Sequence, residues 1–208
     1  MLSRWFERRN LARSGVHYGH GCLIDRSVIF RDGTRIEIGD ECEIKRNCLL
    51  DGRSHHARSI KIGASSRVKD SVAFMAYHGY VHIGANCIIQ RGTSIFGHGG
   101  TVIGDGVIIG ANVIVAAADY ALKSGETPFV EQGYASKPVR IENNVFLGSG
   151  VIIMPGSLIS EGVVVGANSV VSGSLNRSGL YVGAPARFKR PLLAPSGSDE
   201  FMQPSWGR

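Results

Sequence analysis

Residues 141–171 read IENNVFLGSGVIIMPGSLISEGVVVGANSVV. Stepping by six from Ile141 lands on Leu147, Ile153, Ile159, Val165 and Val171, and every landing is aliphatic. The same step connects Ile103, Ile109 and Val115, and again Ile83, Ile89 and Ile95. It also runs from Ile38 through Ile44, Leu50, Ile62, Val68 and Phe74, with only His56 breaking the series. A period of six fits neither the 3.6 of an amphipathic helix nor a simple alternation bounded by hairpin turns. It fits a chain that turns a corner every six residues and buries one aliphatic side chain on each side of a triangular prism. Three such sides make a coil of about 18 residues.

The corners are legible too. Glycine follows the aliphatic at Gly39, Gly63, Gly84, Gly104, Gly110, Gly148 and Gly166, and Ala, Asp or Asn often comes next, as in Val165-Gly166-Ala167-Asn168. Small residues and residues that tolerate positive φ belong at such corners. Coils stack about 4.8 Å apart, so stability is built from neighbour contacts and the open ends need covering. The spacing therefore predicts an all-β protein, a single-stranded parallel β-helix over residues 24–190. Residues 1–23 are expected to be a cap outside the repeat, with a short basic helix over Ser3–Arg13, and residues 191–208 a poorly ordered tail. Register slips mark loops: Phe74 to Ile83, Ile95 to Ile103, and above all Val115 to Ile141. The last contains the insertion 116–140, and insertions in repeat proteins commonly carry function.

Composition supports this reading. In a chain of 208 residues, long enough for one domain with a substantial core, there are 28 glycines where average usage gives about 15. The net charge of +6 favours anionic partners, among them a phosphate-bearing cofactor. A nucleic-acid partner is not expected, because the basic residues are scattered apart from a short cluster within residues 4–13. No apolar run approaches the roughly 20 residues needed to span a membrane, and residues 1–10 are too charged for the apolar core of a signal peptide. A cytoplasmic location is the expectation. Cys22, Cys42, Cys48 and Cys87 form no CxxC pair and sit in strand-like segments, so they read as reduced core residues rather than disulfides or metal ligands.

Several motifs look familiar together. They are Phe96-Gly97-His98-Gly99-Gly100, Gln132-Gly133-Tyr134, Ile141 to Gly148, Val165 to Val171, and Val182-Gly183-Ala184-Pro185-Ala186-Arg187. Over roughly residues 83–190 the chain resembles the left-handed β-helix acyltransferases, in the branch of maltose, galactoside and surface-polysaccharide O-acetyltransferases. The resemblance implies left-handed coiling, an exception to the usual right-handed crossover. It also implies a homotrimer, acetyl-CoA in a cleft between adjacent prisms, and a sugar or glycan hydroxyl as acceptor, with no metal.

Acetyl transfer needs a base for the attacking hydroxyl and donors for the oxyanion. The resemblance places the family's histidine base at Tyr120, a residue that is mostly protonated at neutral pH and so a poor base. Phe146 likewise stands where a tryptophan is usual. Two substitutes remain: His98 on its glycine-rich insertion, and Asp119 beside Tyr120. His56, His78, His98 and Tyr120 recur at close to one-coil intervals and are expected along one edge of the prism. Each also has a plain reading, His98 as a surface turn histidine and Asp119 as a turn residue bonded to its own backbone. For the cofactor, the resemblance assigns Gly148, Ser149, Ala167, Ser172 and Gly173 to the pantetheine arm. It assigns Arg187 and Arg190 to the phosphates, which suit guanidinium geometry. The competing reading is a trimeric scaffold that keeps the CoA cleft and has lost its base. A zinc hydratase is disfavoured by the His78 and His98 spacing and by Ile103 where a further histidine would be wanted.

Overall fold

The computed structural model describes residues 14–192. Three parallel sheets of eight, nine and seven strands form the sides of a left-handed β-helix, the architecture the six-residue spacing and the resemblance predict. Sheet 1 runs from His17–Tyr18 to Ser174–Leu175, sheet 2 from Leu23–Ile24 to Arg187–Arg190, parallel except for that last strand, and sheet 3 from Ile29–Arg31 to Val170–Val171. Register is strict. On sheet 1, Ile62, Ile83, Ile103 and Ile141 stack in successive coils, and on sheet 3 Leu50, Phe74, Ile95, Val115 and Ile153 do the same.

These residues fill the prism. Ile36, Leu50, Ile60, Phe74, Ile89, Ile95, Ile109, Leu147 and Ile153 are fully buried. Burying an aliphatic or phenyl side chain is worth about 1.5–3 kcal/mol, and each coil contributes one per side. Asn86, Asn112, Asn144 and Asn168 turn corners with φ between 52° and 57°, a region asparagine tolerates at little cost. Cys42, Cys48 and Cys87 are buried free thiols, with Cys22 partly buried. They donate to corner carbonyls of the next coil, as Cys87 Sγ does to Gly104 at 3.1 Å.

The coils begin earlier than expected. His17–Tyr18 already pairs with Glu37 and Ile38, and Leu23–Ile24 with Glu43 and Ile44, so the helix starts ahead of residue 24. The six-residue signal fades there because the step back from the buried Ile24 lands on Tyr18, which stays exposed although it is in register with the buried Ile38. At the other end Arg187–Arg190 turns back antiparallel on Gly179–Val182 and finishes sheet 2. The expected helix over Ser3–Arg13 lies outside the described residues, as does the expected tail apart from residues 191 and 192. Among the described residues no helix is long and apolar enough to cross a membrane.

All the large register slips fall at one corner, between sheet 3 and sheet 1. Residues 32–35, 52–59, 76–80, 97–100 and 117–138 leave the prism there in successive coils. His56 breaks the six-step because it lies within the 52–59 insertion rather than on a side. The longest is a hairpin in which Ala118–Tyr120 pairs antiparallel with Tyr134–Ser136, setting Tyr120 opposite Tyr134. It is shorter than the expected 116–140, since Ala116 and Val139–Ile141 are strand residues of the prism.

Candidate active site

The insertions on this edge enclose a cleft of about 530 Å³ lined by Tyr77, His78, Phe96, His98, Ala116, Ala118, Asp119, Tyr120 and Tyr134. Close packing of backbone sets its floor. A Cβ on Gly79 would stand 2.0 Å from the Gly97 carbonyl oxygen, and one on Gly99 would meet the Ala117 oxygen at 2.7 Å and the Lys137 backbone at 2.8 Å. Glycine at these places lets the 76–80 corner, the 97–100 corner and the root of the hairpin nest directly on one another.

Aromatic rings form the walls. Tyr77 lies 4.7 Å from the His98 ring, His98 lies 5.4 Å from Tyr134, and Tyr134 lies 4.9 Å from Tyr120, centroid to centroid. Phe96 is nearly parallel to Tyr77, 6.1 Å away. Tyr77 and His78 hold φ values of 41° and 71°. Left-handed backbone at residues of this size costs of order 1–3 kcal/mol each, and here it turns both rings onto the cleft.

His98 is half-buried, and its Nδ1 is buried with no hydrogen-bond partner. Burial pushes its pKa below the ordinary histidine value, and the neighbouring His78 pushes in the same direction. The imidazole is therefore neutral at pH 7 and able to accept a proton. Asp119 is exposed, and its Oδ1 accepts the backbone N–H of Tyr120 at 2.8 Å. Tyr120 is exposed as well, and its hydroxyl raises the pKa of the adjacent Tyr134 phenol. The Tyr134 phenol therefore stays protonated at neutral pH and presents an O–H donor.

Of the residues expected on one edge, the structure brings together His78, His98 and Tyr120, with Asp119 beside them. His56 stands apart, edge-on to Tyr80 at 5.1 Å, while His55 stacks on His78 at 5.4 Å. The eight-residue corner 52–59 displaces the count: Ser54, rather than His56, pairs with His78. Tyr134, Tyr77 and Phe96 were not singled out as site residues. Tyr134 reaches the cleft only through the hairpin, which a repeat count does not show, although its Gln-Gly-Tyr motif marked the loop.

The residues expected at the cofactor do not gather at one place within the chain. Ser172 and Gly173 lie on the cleft edge, two coils beyond the hairpin root. Gly148, Ser149 and Ala167 lie on the corner between sheets 2 and 3, where the Gly148 Cα sits so close to the next coil that a Cβ would meet the Ala167 nitrogen at 2.5 Å. Arg187 and Arg190 are exposed on the terminal strand, where Arg187 Nη1 donates to the Ala186 carbonyl and Arg190 Nη1 to the Pro191 carbonyl. Among the described residues no group of three or more His, Cys, Asp or Glu converges as metal ligands.

Two family descriptions match the chain: bacterial transferase hexapeptide (six repeats) over residues 138–173, and hexapeptide repeat of succinyl-transferase over residues 81–117. A galactoside O-acetyltransferase of Escherichia coli is 31% identical over 136 residues, 63% of each chain. A dTDP-4-amino-4,6-dideoxy-D-glucose acyltransferase of Escherichia coli is 31% identical over 134 residues, 62% of this chain and 70% of that one. The chain spans 63% of the galactoside relative's length, and 40% and 43% of two other curated relatives. Among solved structures, the AntD N-acyltransferase of Bacillus cereus, in complex with dTDP-4-amino-4,6-dideoxyglucose and coenzyme A, superposes with a TM-score of 0.59. It is 25% identical, covering 88% of this chain and 89% of AntD.

Proposed function

The chain belongs to the hexapeptide-repeat transferases, and on that premise we propose that it moves an acetyl group from acetyl-CoA to a hydroxyl of a sugar or glycan precursor. The observation that carries this reading is His98, a neutral imidazole on the wall of an open cleft, flanked by two phenol donors. His98 takes the proton from the acceptor hydroxyl as its oxygen attacks the thioester carbonyl. Tyr120, which the resemblance sets at the place of the family's histidine base, donates its O–H to the oxyanion instead of acting as base, and Tyr134 supports it. The C–O bond forms, the C–S bond breaks, and the departing thiolate receives the proton from His98. Asp119, occupied by the Tyr120 backbone, holds the hairpin rather than the proton.

The cofactor is read as lying along the same edge, past Ser172 and Gly173. The expected arm residues Gly148, Ser149 and Ala167 face another corner, so one CoA touches both sets only between two chains. The proposed homotrimer provides that arrangement, with Arg187 and Arg190 at the phosphates. Outward faces of the prism support it: Ile108, Ile114 and Phe146 are 38%, 40% and 42% exposed, an apolar surface suited to a second copy. We place the reaction in the cytoplasm, where acetyl-CoA is available.

The test is release of free thiol from acetyl-CoA by the purified protein over a panel of sugars. Turnover that disappears in His98→Ala, with CoA binding intact, is the expected result. CoA binding without turnover on any acceptor, and turnover gained in Tyr120→His, would instead identify a scaffold whose base has been lost.

A further inference from the structure

Below the cleft, counting coils toward the N-terminus, stands a pair of arginines that the proposed chemistry does not use. Arg53 Nε and Nη2 donate to the two oxygens of Asp51 at 2.8 and 2.6 Å, and Arg31 Nη1 reaches the same carboxylate at 3.3 Å. The Asp51 side chain is only 4% exposed, while that of Arg53 is 62% exposed. Two guanidinium groups thus share one carboxylate, which leaves a positive charge uncompensated at the surface. The acids of the neighbouring coil do not cancel it, since Asp32 is held by Arg35 and Glu37 by Arg58. Asp51 also clamps the Arg53 fork through two of its nitrogens, so its remaining N–H groups point outward from a fixed plane. A fixed guanidinium plane is suited to phosphate or carboxylate.

Position gives the pair its meaning. Asp51, Met75 and Phe96 stack in register on sheet 3, and two residues beyond each come Arg53, Tyr77 and His98. These three occupy the same place on successive coils, with Arg53 about 10 Å from His98 at the coil spacing of ~4.8 Å. The Arg53 carbonyl accepts the His78 N–H at 3.4 Å, which ties this corner to the cleft wall. The stacked rings of His55 and His78 continue the wall down to it. A hexose lying against Tyr77, with one hydroxyl at His98, would place a substituent at its far end beside Arg53.

We propose that the acceptor carries an anionic group, a phosphate or a carboxylate, and that Arg53, fixed by Asp51, receives it at the foot of the cleft. This rests on the reading of the cleft as the acceptor site, and it makes Arg53 a specificity residue rather than a catalytic one.

The test titrates the full chain with three matched probes, galactose, galactose 1-phosphate and galacturonic acid, in the wild type, Arg53→Gln and Arg53→Lys. The wild type should prefer one or both anionic sugars over galactose, and the two anionic arms identify which group is taken. Arg53→Gln should weaken the preferred sugar about tenfold or more and leave galactose within about twofold, while unchanged CoA binding shows that the fold survives. Arg53→Lys should recover part of the loss. If Arg53→Gln does not fold, arginine modification of the wild type by phenylglyoxal decides: galactose 1-phosphate or galacturonic acid should protect Arg53 and galactose should not. Equal binding of all three probes, an equal loss of galactose in Arg53→Gln, or no selective protection overturns the proposal. Absence of acetyl transfer with an Arg53-dependent preference intact would sink the transferase reading and leave the anion site standing. Transfer to neutral sugars alone, independent of Arg53, would do the opposite.

Discussion

The His98 imidazole and the Tyr134 phenol ring face each other at 5.4 Å, one carried by a four-residue corner of the prism and the other by the returning strand of the hairpin. Base and donor therefore come from separate insertions on one edge, and each can be tested without disturbing the other.

Replacing His98 by alanine should lower kcat by about 10²–10⁴, the usual contribution of a positioned base, with CoA affinity unchanged. Tyr120→Phe should lower kcat by roughly 10-fold or more, through loss of an oxyanion donor. Steady-state kinetics on one acceptor reads both. An equal rise in KM with kcat preserved would mean that these residues only bind.

Transfer should fall on acidification, because His98 must be neutral to accept a proton. Burial first, and then His78, hold its pKa below the ordinary 6.5, so the acid limb of kcat/KM should lie below that value. His78→Asn removes the second imidazole while keeping a residue that tolerates left-handed backbone, and should move the limb upward. A limb that stays in place would remove His78 from the electrostatics of the site.

Folding stability should have an alkaline edge set by the buried thiols. In the folded chain burial pushes Cys42 up to about 11 from 9.0, and Cys48 and Cys87 also upward. The folded thiols thus stay protonated where those of the unfolded chain ionise, so stability is retained below pH 9 and lost as pH rises from there toward 11. Denaturant melts at pH 7.5 and 10 measure this, and substitution of all three by alanine should flatten the difference.

Gly99→Ala should detach the hairpin root, since its Cβ would lie within 3 Å of the Ala117 and Lys137 backbones. The expected cost is about 1–3 kcal/mol, with proteolysis of the hairpin accelerated before global unfolding. Phe74→Ala, at the fully buried centre of sheet 3, should instead cost about 3–5 kcal/mol globally.

The fold was legible because each coil repeats one requirement, an aliphatic side chain at a fixed step, and Ile141 to Val171 meet it without interruption. The lower boundary was not, since the step back from the buried Ile24 lands on Tyr18, an exposed aromatic in register with the buried Ile38. Spacing also brought His78, His98 and Tyr120 to one edge, although register sets Tyr77 rather than His78 in step with His98 and Tyr120 rides on the hairpin strand. It failed for His56, whose corner is longer, and it did not reach Tyr134, which a hairpin brings back from outside the repeat. Arg53 escaped attention because its role depends on Asp51 beneath it, and a lone arginine in a loop carries no signal of being clamped.

All five extended corners leave the prism on one side, while the packing that holds it together is completed within the coils. The edge is therefore a rack of interchangeable parts. Residues 52–59 can be redrawn to take a different acceptor, and 97–100 kept to run the same reaction, with the interior left unaltered by either change. Selectivity and chemistry in this protein are free to evolve on separate rungs.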